Sequence, residues 1–198
     1  MHLEDERLER WLAELLATSG LTAIRDAAEA RRIHVHESLA ALDVVRRYEG
    51  PVVDVGSGGG APGIPLAAAL PDRDIVLLEA NGRKADFLER VASSFPNASV
   101  VRGRAEEQPT DVYGVAVAKA LAPPPVAVEW CLPLVRAGGA VVLYVGPSAD
   151  AAAVARVAER VGGGKPERER GVLVVRKVRP TPPGFPRRPG MAKKRPLA

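Results

Sequence analysis

The apolar residues of the first fifty positions recur at helical spacing. Thr18, Ser19 and Gly20 predict the end of the first helix. The apolar positions of that helix are Leu3, Leu8, Trp11, Leu12, Leu15 and Leu16. A second helical stretch is predicted over residues 26–47. We therefore expect a helical extension over residues 1–49.

From residue 50 onward, short apolar runs alternate with helical stretches. Strands are predicted over residues 51–55, 74–79, 98–102, 114–118, 139–145 and 171–178. Helices are predicted over residues 62–70, 83–95, 124–136 and 149–161. Such alternation predicts an α/β fold with a doubly wound, mostly parallel sheet that is covered on both faces. The polar segment 162–170 leaves little room for another strand, so a reduced far edge of the sheet is expected.

Size and composition indicate one soluble domain. The chain has 198 residues, of which 46% are apolar, enough for a substantial core. No apolar run reaches the roughly 18 residues of a membrane span. The opening residues MHLEDERLERW lack the basic and apolar regions of a signal peptide, so a cytoplasmic protein is expected. Cys131 is expected to be a packed thiol, and no Cys/His cluster has the spacing of a metal site.

The net charge of +4 is unevenly distributed. Residues 1–49 lean acidic, whereas the chain from Arg176 onward contains no acid. The cations there are Arg176, Lys177, Arg179, Arg187, Arg188, Lys193, Lys194 and Arg195. A basic, Pro-rich tail over residues 179–198 is suited to binding phosphate groups, and a solvated, disordered tail is the alternative.

The segment PVVDVGSGGGAPGIP, residues 51–65, carries the strongest functional signal. A strand that ends near Asp54 runs into a glycine-rich turn, which lets backbone N–H groups approach a ligand. The helix predicted next directs its N-terminus toward the same place. A second strand ends in Glu79, whose carboxylate can accept hydrogen bonds from both hydroxyls of a ribose. The turn and the acid together predict a site for a nucleoside cofactor.

Two cofactor classes suit such a turn. The pattern G-x-G-x-x-A over residues 56–61 is accepted by dinucleotide-binding folds. Asp54 favours the other class, because D-x-G-x-G-x-G is typical of S-adenosylmethionine-dependent methyltransferases, whereas dinucleotide enzymes usually keep that strand end apolar. A methyltransferase is predicted; an NAD-dependent oxidoreductase and a glycine-rich turn without a ligand are the alternatives. The chain has no G-x-S-x-G and no Walker lysine, which excludes hydrolase and P-loop readings.

Several segments together resemble the bacterial 16S rRNA guanine-N7 methyltransferases, also called the glucose-inhibited division protein B family. DVGSGGGAPGIPLA at residues 54–67 is similar to the family's D-V-G-[ST]-G-x-G-x-P-G-I-P-L-A, and its P-G-I-P part is more specific than the glycines. The resemblance covers nearly the whole chain. The other matching segments are GLTAIRD (20–26), HVHESL (34–39), LLEANGRKADFL (77–88), RAEE (104–107) and FPRRPGMAKKRPL (185–197).

The resemblance implies a Rossmann-like methyltransferase domain over residues 50–178, with S-adenosyl-L-methionine as cofactor and S-adenosyl-L-homocysteine as product. It implies that Glu79 holds the ribose and that Ala105 and Glu106 meet the adenine, although a solvated helix start is the alternative for Glu106. The implied acceptor is guanine N7 in 16S rRNA, naked or within the small ribosomal subunit, and a monomer is expected. The cofactor set is Asp54, Gly56, Gly58, Gly60, Ala61, Glu79, Ala105, Glu106 and Lys119. The RNA-binding set is Lys119, Arg187, Arg188, Lys193, Lys194 and Arg195.

At three positions where the family pattern has a charged residue, this chain has a different residue. Glu37 stands in place of Asp, Lys119 in place of Arg, and Val145 in place of Lys. Guanine N7 has an exposed lone pair and no proton, so catalysis can rest on positioning, and Lys119 is the one candidate for a catalytic residue. Lys119 lacks the planar fork of Arg, and Val145 removes a cation. A relative that binds RNA without methylating it is therefore a further alternative.

Overall fold

The computed structural model describes residues 5–198, so Leu3 of the predicted first helix lies outside the described residues. Its strands are β1 (Val52–Val55), β2 (Ile75–Glu79), β3 (Ala98–Arg102), β4 (Tyr113–Lys119), β5 (Val135–Tyr144), β6 (Glu167–Glu169) and β7 (Val172–Arg176). They form one sheet in the order β3-β2-β1-β4-β5-β7-β6. Strands β1 to β5 are parallel, and β7 is antiparallel to both of its neighbours.

Helices cover the sheet. They are α1 (Glu6–Ala17), α2 (Ala27–Ala30), α3 (Glu37–Leu39), α4 (Leu42–Arg46), α5 (Gly63–Ala69), α6 (Gly82–Ala92), α7 (Pro124–Cys131), α8 (Ala151–Arg160) and α9 (Met191–Lys194). A π-helical turn, Arg31–His36, joins α2 to α3, and 3-10 turns occur at Ala105–Glu107 and Leu132–Leu134. Across residues 5–198, none of these helices is both long and apolar enough to cross a membrane.

The predicted doubly wound, mostly parallel α/β fold is confirmed, and all six predicted strands are present. The largest shift of boundaries occurs between α7 and β5. The helix predicted to reach residue 136 ends at Cys131, and β5 begins at Val135 instead of residue 139. Pro133 explains the early end, because proline has no N–H to continue the helical hydrogen bonds.

No strand was predicted within residues 162–170, but β6 forms there and pairs with β7; the far edge is reduced only in length, since β6 has three residues. The two strands are joined by Arg170 and Gly171, which both have positive φ angles of 47° and 80°. A two-residue turn of this kind matches the natural twist of a hairpin. As an edge strand, β6 is made of charged residues that face solvent, so it leaves no apolar pattern in the sequence.

The helical stretch predicted over residues 26–47 is interrupted rather than continuous. Within its π-helical turn, backbone carbonyls accept hydrogen bonds from side chains: Ile33 O from Lys119 Nζ, and His34 O from Ser38 Oγ at 2.7 Å. Insertions into the helical ladder are a common cause of such irregularities. The helical extension is thereby joined to the end of β4.

The N-terminal helices share the apolar core on one face of the sheet. Trp11, at 1% exposure, is buried in this core, and its Nε1 donates a hydrogen bond of 2.8 Å to Gly59 O in the glycine-rich turn. On the opposite face, α7 and α8 form a second core, against which Phe185 and Leu197 of the tail pack. The tail is therefore folded onto the sheet domain and is not a disordered extension. The division at residues 49 and 178 stays a prediction.

Candidate cofactor and active site

A cavity of about 260 Å³ lies where the order of the parallel strands reverses, beside the carboxyl ends of β1, β2 and β4. Ligands of open α/β sheets bind at this switch point. Its walls are formed by Val55, Gly56, Leu78, Glu79, Ala80, Lys84, Gly103, Arg104, Ala105, Glu106, Ala120, Leu121, Trp130 and Lys193.

Glu79, the last residue of β2, has its carboxylate held in place by two backbone donors. Oε2 accepts a hydrogen bond of 2.9 Å from Gly58 N–H, and Oε1 accepts one of 2.7 Å from Asn81 N–H. A carboxylate has about four acceptor positions, so each oxygen keeps one for a ligand hydroxyl. The side chain is only 7% exposed and borders the cavity. This geometry suits the two hydroxyls of a ribose.

The glycines of the turn serve two different purposes. Gly56 has a φ of +70° and borders the cavity, where a Cβ would collide with the Leu121 side chain. Gly60 has a φ of +99°, and a Cβ there would lie 2.8 Å from Ile64 Cγ1 and 3.0 Å from Trp11 Nε1. Gly56 therefore allows the Leu121 side chain to pack against the turn, whereas Gly60 allows α1 to pack there.

Asp54 is buried beneath the turn, at 1% exposure. Its Oδ2 accepts a hydrogen bond of 2.9 Å from Gly63 N–H, which fixes the start of α5 to β1. Oδ1 is buried and has no hydrogen-bond partner among the described residues. Burial raises the pKa of this carboxyl to about 7, because a charged carboxylate is poorly solvated there.

Glu106 borders the cavity from the 3-10 turn that follows β3. Its Oε1 accepts a hydrogen bond of 3.1 Å from Gly190 N–H, which belongs to the C-terminal tail. Glu106 is half-buried, unlike the solvated helix start that was the alternative. An acid beside the backbone of Ala105 can accept a hydrogen bond from the amino group of an adenine.

Lys119, at the end of β4, has partners within the protein. Its Nζ donates to Ile33 O and lies 3.2 Å from Glu37 Oε2, and the side chain is 18% exposed. His34 lies nearby, with Nε2 3.2 Å from Thr22 Oγ1. Burial and then the charge of Lys119 lower the pKa of His34. Lys119 thus binds the helical extension, and its ammonium is engaged before any ligand arrives.

Of the predicted RNA-binding cations of the tail, Arg187 is paired with a buried acid, whereas the others are exposed. Arg187 forms a two-point ion pair with the buried Glu129, with Nε–Oε1 at 2.5 Å and Nη2–Oε2 at 2.7 Å. Lys193 borders the cavity, with Nζ 5.2 Å from the ring centroid of Trp130. The exposed members of the predicted RNA-binding set are Arg188, Lys193, Lys194 and Arg195.

Four predicted cofactor residues meet at the cavity: Gly56, Glu79, Ala105 and Glu106. The other predicted members make the internal contacts described above or pack against the core. Sequence reasoning did not assign the other ten wall residues to the cofactor cavity, among them Lys84, Arg104, Leu121, Trp130 and Lys193. Lys84 and Arg104 lie within matched segments, and Leu121 follows a strand end, so these positions carried a usable signal. Trp130 is brought in by α7, and nothing local in the sequence marks it. Lys193 lies in the matching segment 185–197 and was predicted to bind RNA rather than to border the cofactor cavity.

Strand order and site together define a class I S-adenosylmethionine-dependent methyltransferase fold, in which an antiparallel β7 separates β5 from β6. Two solved methyltransferase structures share the fold. The antibiotic-resistance methyltransferase Kmr gives a TM-score of 0.53 at 17% identity, covering 70% of this chain and 92% of its own. The CMeT domain of citrinin polyketide synthase gives 0.59 at 11% identity, covering 90% and 68%.

The sequence model of the family described as rRNA small subunit methyltransferase G matches residues 5–164. Two relatives of that name come from Moorella thermoacetica, at 36% identity over 89% of this chain and 82% of the relative, and Acetivibrio thermocellus, at 31% over 100% and 91%. The chain belongs to the rRNA small subunit methyltransferase G family. The predicted methyltransferase class and the family resemblance are confirmed, and the oxidoreductase and inactive-relative alternatives are not favoured.

Proposed function

We propose that the protein transfers the methyl group of S-adenosyl-L-methionine to N7 of a guanosine in 16S rRNA, leaving S-adenosyl-L-homocysteine. Family membership supports methylation of small-subunit rRNA. The observation that carries the cofactor assignment is the pair of acids, Glu79 and Glu106, which border one cavity beside Gly56. One acid suits a ribose and the other an adenine amino group, which is the polar pattern of an adenosine.

The residues that border the cavity fit the cofactor, because their carboxylates can accept the hydrogen bonds that an adenosine donates. Glu79 would hold the ribose hydroxyls, because its backbone partners fix both carboxylate oxygens. Ala105 and Glu106 would meet the adenine, and Gly56 borders the same cavity. When bound, the cofactor supplies an electrophilic methyl group on a sulfonium. The protein's contribution is to hold this group in line with the acceptor nitrogen and to exclude water.

No general base is required, because guanine N7 already presents its lone pair. Positive charge moves onto the purine during transfer, so a free cation beside N7 would oppose the reaction. The structure is compatible with this requirement, since the ammonium of Lys119 is bound to Ile33 O and Glu37. Lys119 would then orient the helical extension next to the acceptor, and the reaction would rest on positioning.

The tail supports the RNA assignment through its exposed cations. Arg188, Lys194 and Arg195 are exposed and lie on the segment that borders the cavity. Phosphate contacts from such residues supply affinity and register without reading sequence. We further propose that the protein acts in the cytoplasm as a monomer, on naked rRNA or on the assembled small subunit.

The test is transfer of a labelled methyl group from S-adenosyl-L-methionine to acceptors taken from a strain that lacks this protein. The acceptors are protein-free 16S rRNA and intact small subunits, and nucleoside mass spectrometry identifies the product. N7-methylguanosine in either acceptor supports the proposal and identifies the substrate form. Label at another atom, or none while the wild-type protein binds the cofactor, overturns the guanine-N7 assignment. A Glu79→Ala variant is the negative control.

A further inference from the structure

Residues 185–197, here called the return segment, fold back across α7 and reach the cofactor cavity. Phe185 and Leu197, at its two ends, pack against the core formed by α7 and α8. Its short helix α9 contacts α7, and Lys193 of α9 is part of the cavity wall. The match to the family model covers residues 5–164, and this segment follows it in the chain.

Arg187 fastens the return segment to α7. Its guanidinium binds both carboxylate oxygens of Glu129, and the Glu129 side chain is only 3% exposed. The third nitrogen of the guanidinium, Nη1, donates a hydrogen bond of 3.0 Å to Arg195 O, farther along the same segment. A buried two-point ion pair of this kind fixes direction as well as distance. Arg187 therefore sets where the segment lies.

Gly190 connects the return segment to a residue of the cofactor cavity. Its N–H donates to Glu106 Oε1 at 3.1 Å, and its φ of +80° suits glycine best. Glu106 borders the cavity, and the proposed function assigns it to the adenine. Because the return segment holds one carboxylate oxygen of Glu106, the same contact fixes the direction of the other oxygen.

A second contact lies beside the first. Lys193 Nζ is 5.2 Å from the ring centroid of Trp130, and both residues border the cavity. A cation over an indole face is a stabilising contact that holds both partners. Two of the cavity's wall residues, Trp130 and Glu106, are thus in contact with the return segment.

We propose that Arg187 is a positioning residue for cofactor binding: through Glu129 it holds the return segment so that Gly190 orients Glu106 toward the adenine. This inference rests on the proposed function, which assigns adenine to Glu106. It has a consequence for RNA, because Arg188, Lys194 and Arg195 belong to the same segment. Binding of the cofactor and binding of RNA should favour each other, and linkage makes that effect reciprocal.

The experiment compares Arg187→Gln and the double variant Glu129→Gln/Arg187→Gln with the wild type. The double variant leaves no buried charge unpaired, so it keeps the test valid if the single variant fails to fold. Calorimetry measures the affinity for S-adenosyl-L-homocysteine and for S-inosyl-L-homocysteine, in which hypoxanthine replaces adenine. We expect about tenfold weaker binding of the adenine compound, the scale of one hydrogen bond to a charged group, and a reduced preference over hypoxanthine. Arg156→Gln, an exposed Arg on α8, is the matched control.

A folded variant with unchanged affinity and unchanged adenine preference overturns the inference while leaving the proposed function intact. A wild-type protein that does not bind S-adenosyl-L-homocysteine overturns the proposed function itself. A second measurement needs no substitution: hydrogen exchange at residues 190–194 of the wild type, with and without S-adenosyl-L-homocysteine. Slower exchange in the complex supports the inference, and equal exchange overturns it.

Discussion

Lys119 and Glu37, two of the positions at which the chain departs from its family's pattern, are in contact: Lys119 Nζ lies 3.2 Å from Glu37 Oε2. Lys119 has a shorter side chain than the Arg of that pattern, and Glu37 has a longer one than its Asp. The two departures therefore compensate each other geometrically. The pair links the end of β4 to the helical extension.

A double-mutant cycle tests this compensation. Lys119→Gln and Glu37→Gln should each destabilise the protein, and the double variant should lose less than their sum. The coupling should be about 0.5 to 1 kcal/mol, because the pair is partly exposed. Urea unfolding measures the four free energies. Strict additivity of the two substitutions would argue against the pair. Lys119→Arg combined with Glu37→Asp should recover stability that either change alone loses.

Glu79 is expected to be the residue on which cofactor affinity depends most directly. Glu79→Gln replaces one acceptor oxygen with a donor that faces a backbone N–H, either that of Gly58 or that of Asn81. We expect a loss of about 1 to 3 kcal/mol in the free energy of unfolding, the cost of an unsatisfied buried donor. Affinity for S-adenosyl-L-homocysteine, measured by calorimetry, should fall at least about tenfold. Glu159→Gln on the exposed face of α8 should change neither quantity, and equal effects from both variants would refute the assignment.

Gly60 and Gly184 provide a matched pair for the role of the glycine-rich turn. Both have positive φ angles, +99° and +88°, but a Cβ on Gly184 has nothing within 4 Å. Gly184→Ala should cost about 1 to 2 kcal/mol from backbone strain alone. Gly60→Ala should cost about 1 to 3 kcal/mol more, because the Cβ meets Ile64 and Trp11. Thermal and urea unfolding provide the comparison. Equal losses would show that Gly60 is required for its backbone angles alone.

Asp54 should make the stability of the protein depend on pH. Its pKa is about 7 in the folded protein, against an ordinary value of 3.8. Between these values the unfolded chain releases a proton that the folded protein keeps, so the free energy of unfolding falls as pH rises and levels off above about 7. Asp54→Asn cannot titrate and still offers an oxygen to Gly63 N–H. The stability of the wild type relative to this variant should fall by on the order of 2 to 4 kcal/mol between about pH 5 and pH 8. Parallel stability curves would exclude a raised pKa.

The exposed cations of the tail should govern how RNA affinity depends on salt. Arg188→Gln and Lys194→Gln should each reduce the slope of log affinity against log salt by about one, as expected for one lost phosphate contact. Filter binding to 16S rRNA between about 50 and 200 mM salt measures this slope. Arg160→Gln at the end of α8 is the control. An unchanged slope in both tail variants would remove them from the RNA interface.

The sequence predicted the sheet well because buried parallel strands are continuous apolar runs, and the turn at residues 56–61 has an unmistakable composition. It failed for β6, where an exposed edge strand is built from charges. It also placed Arg187 at the RNA surface, whereas its partner is a buried Glu129. Pairings between residues 58 positions apart depend on tertiary folding, which local patterns do not encode. The contribution of Trp130 and Lys193 to the cavity was missed for the same reason.

The contact between Trp11 and the glycine-rich turn bears on how the chain folds as it is synthesised. The two partners of this hydrogen bond are separated by 48 residues, and the apolar face of α1 packs on parts of the sheet domain that follow it. A nascent helix α1 therefore emerges from the ribosome with its apolar face uncovered. It can be buried only after β1 and the turn have been translated. Helix α1 is thus made before β1 but gains stable packing only after it, and a chaperone would have its opportunity in that interval.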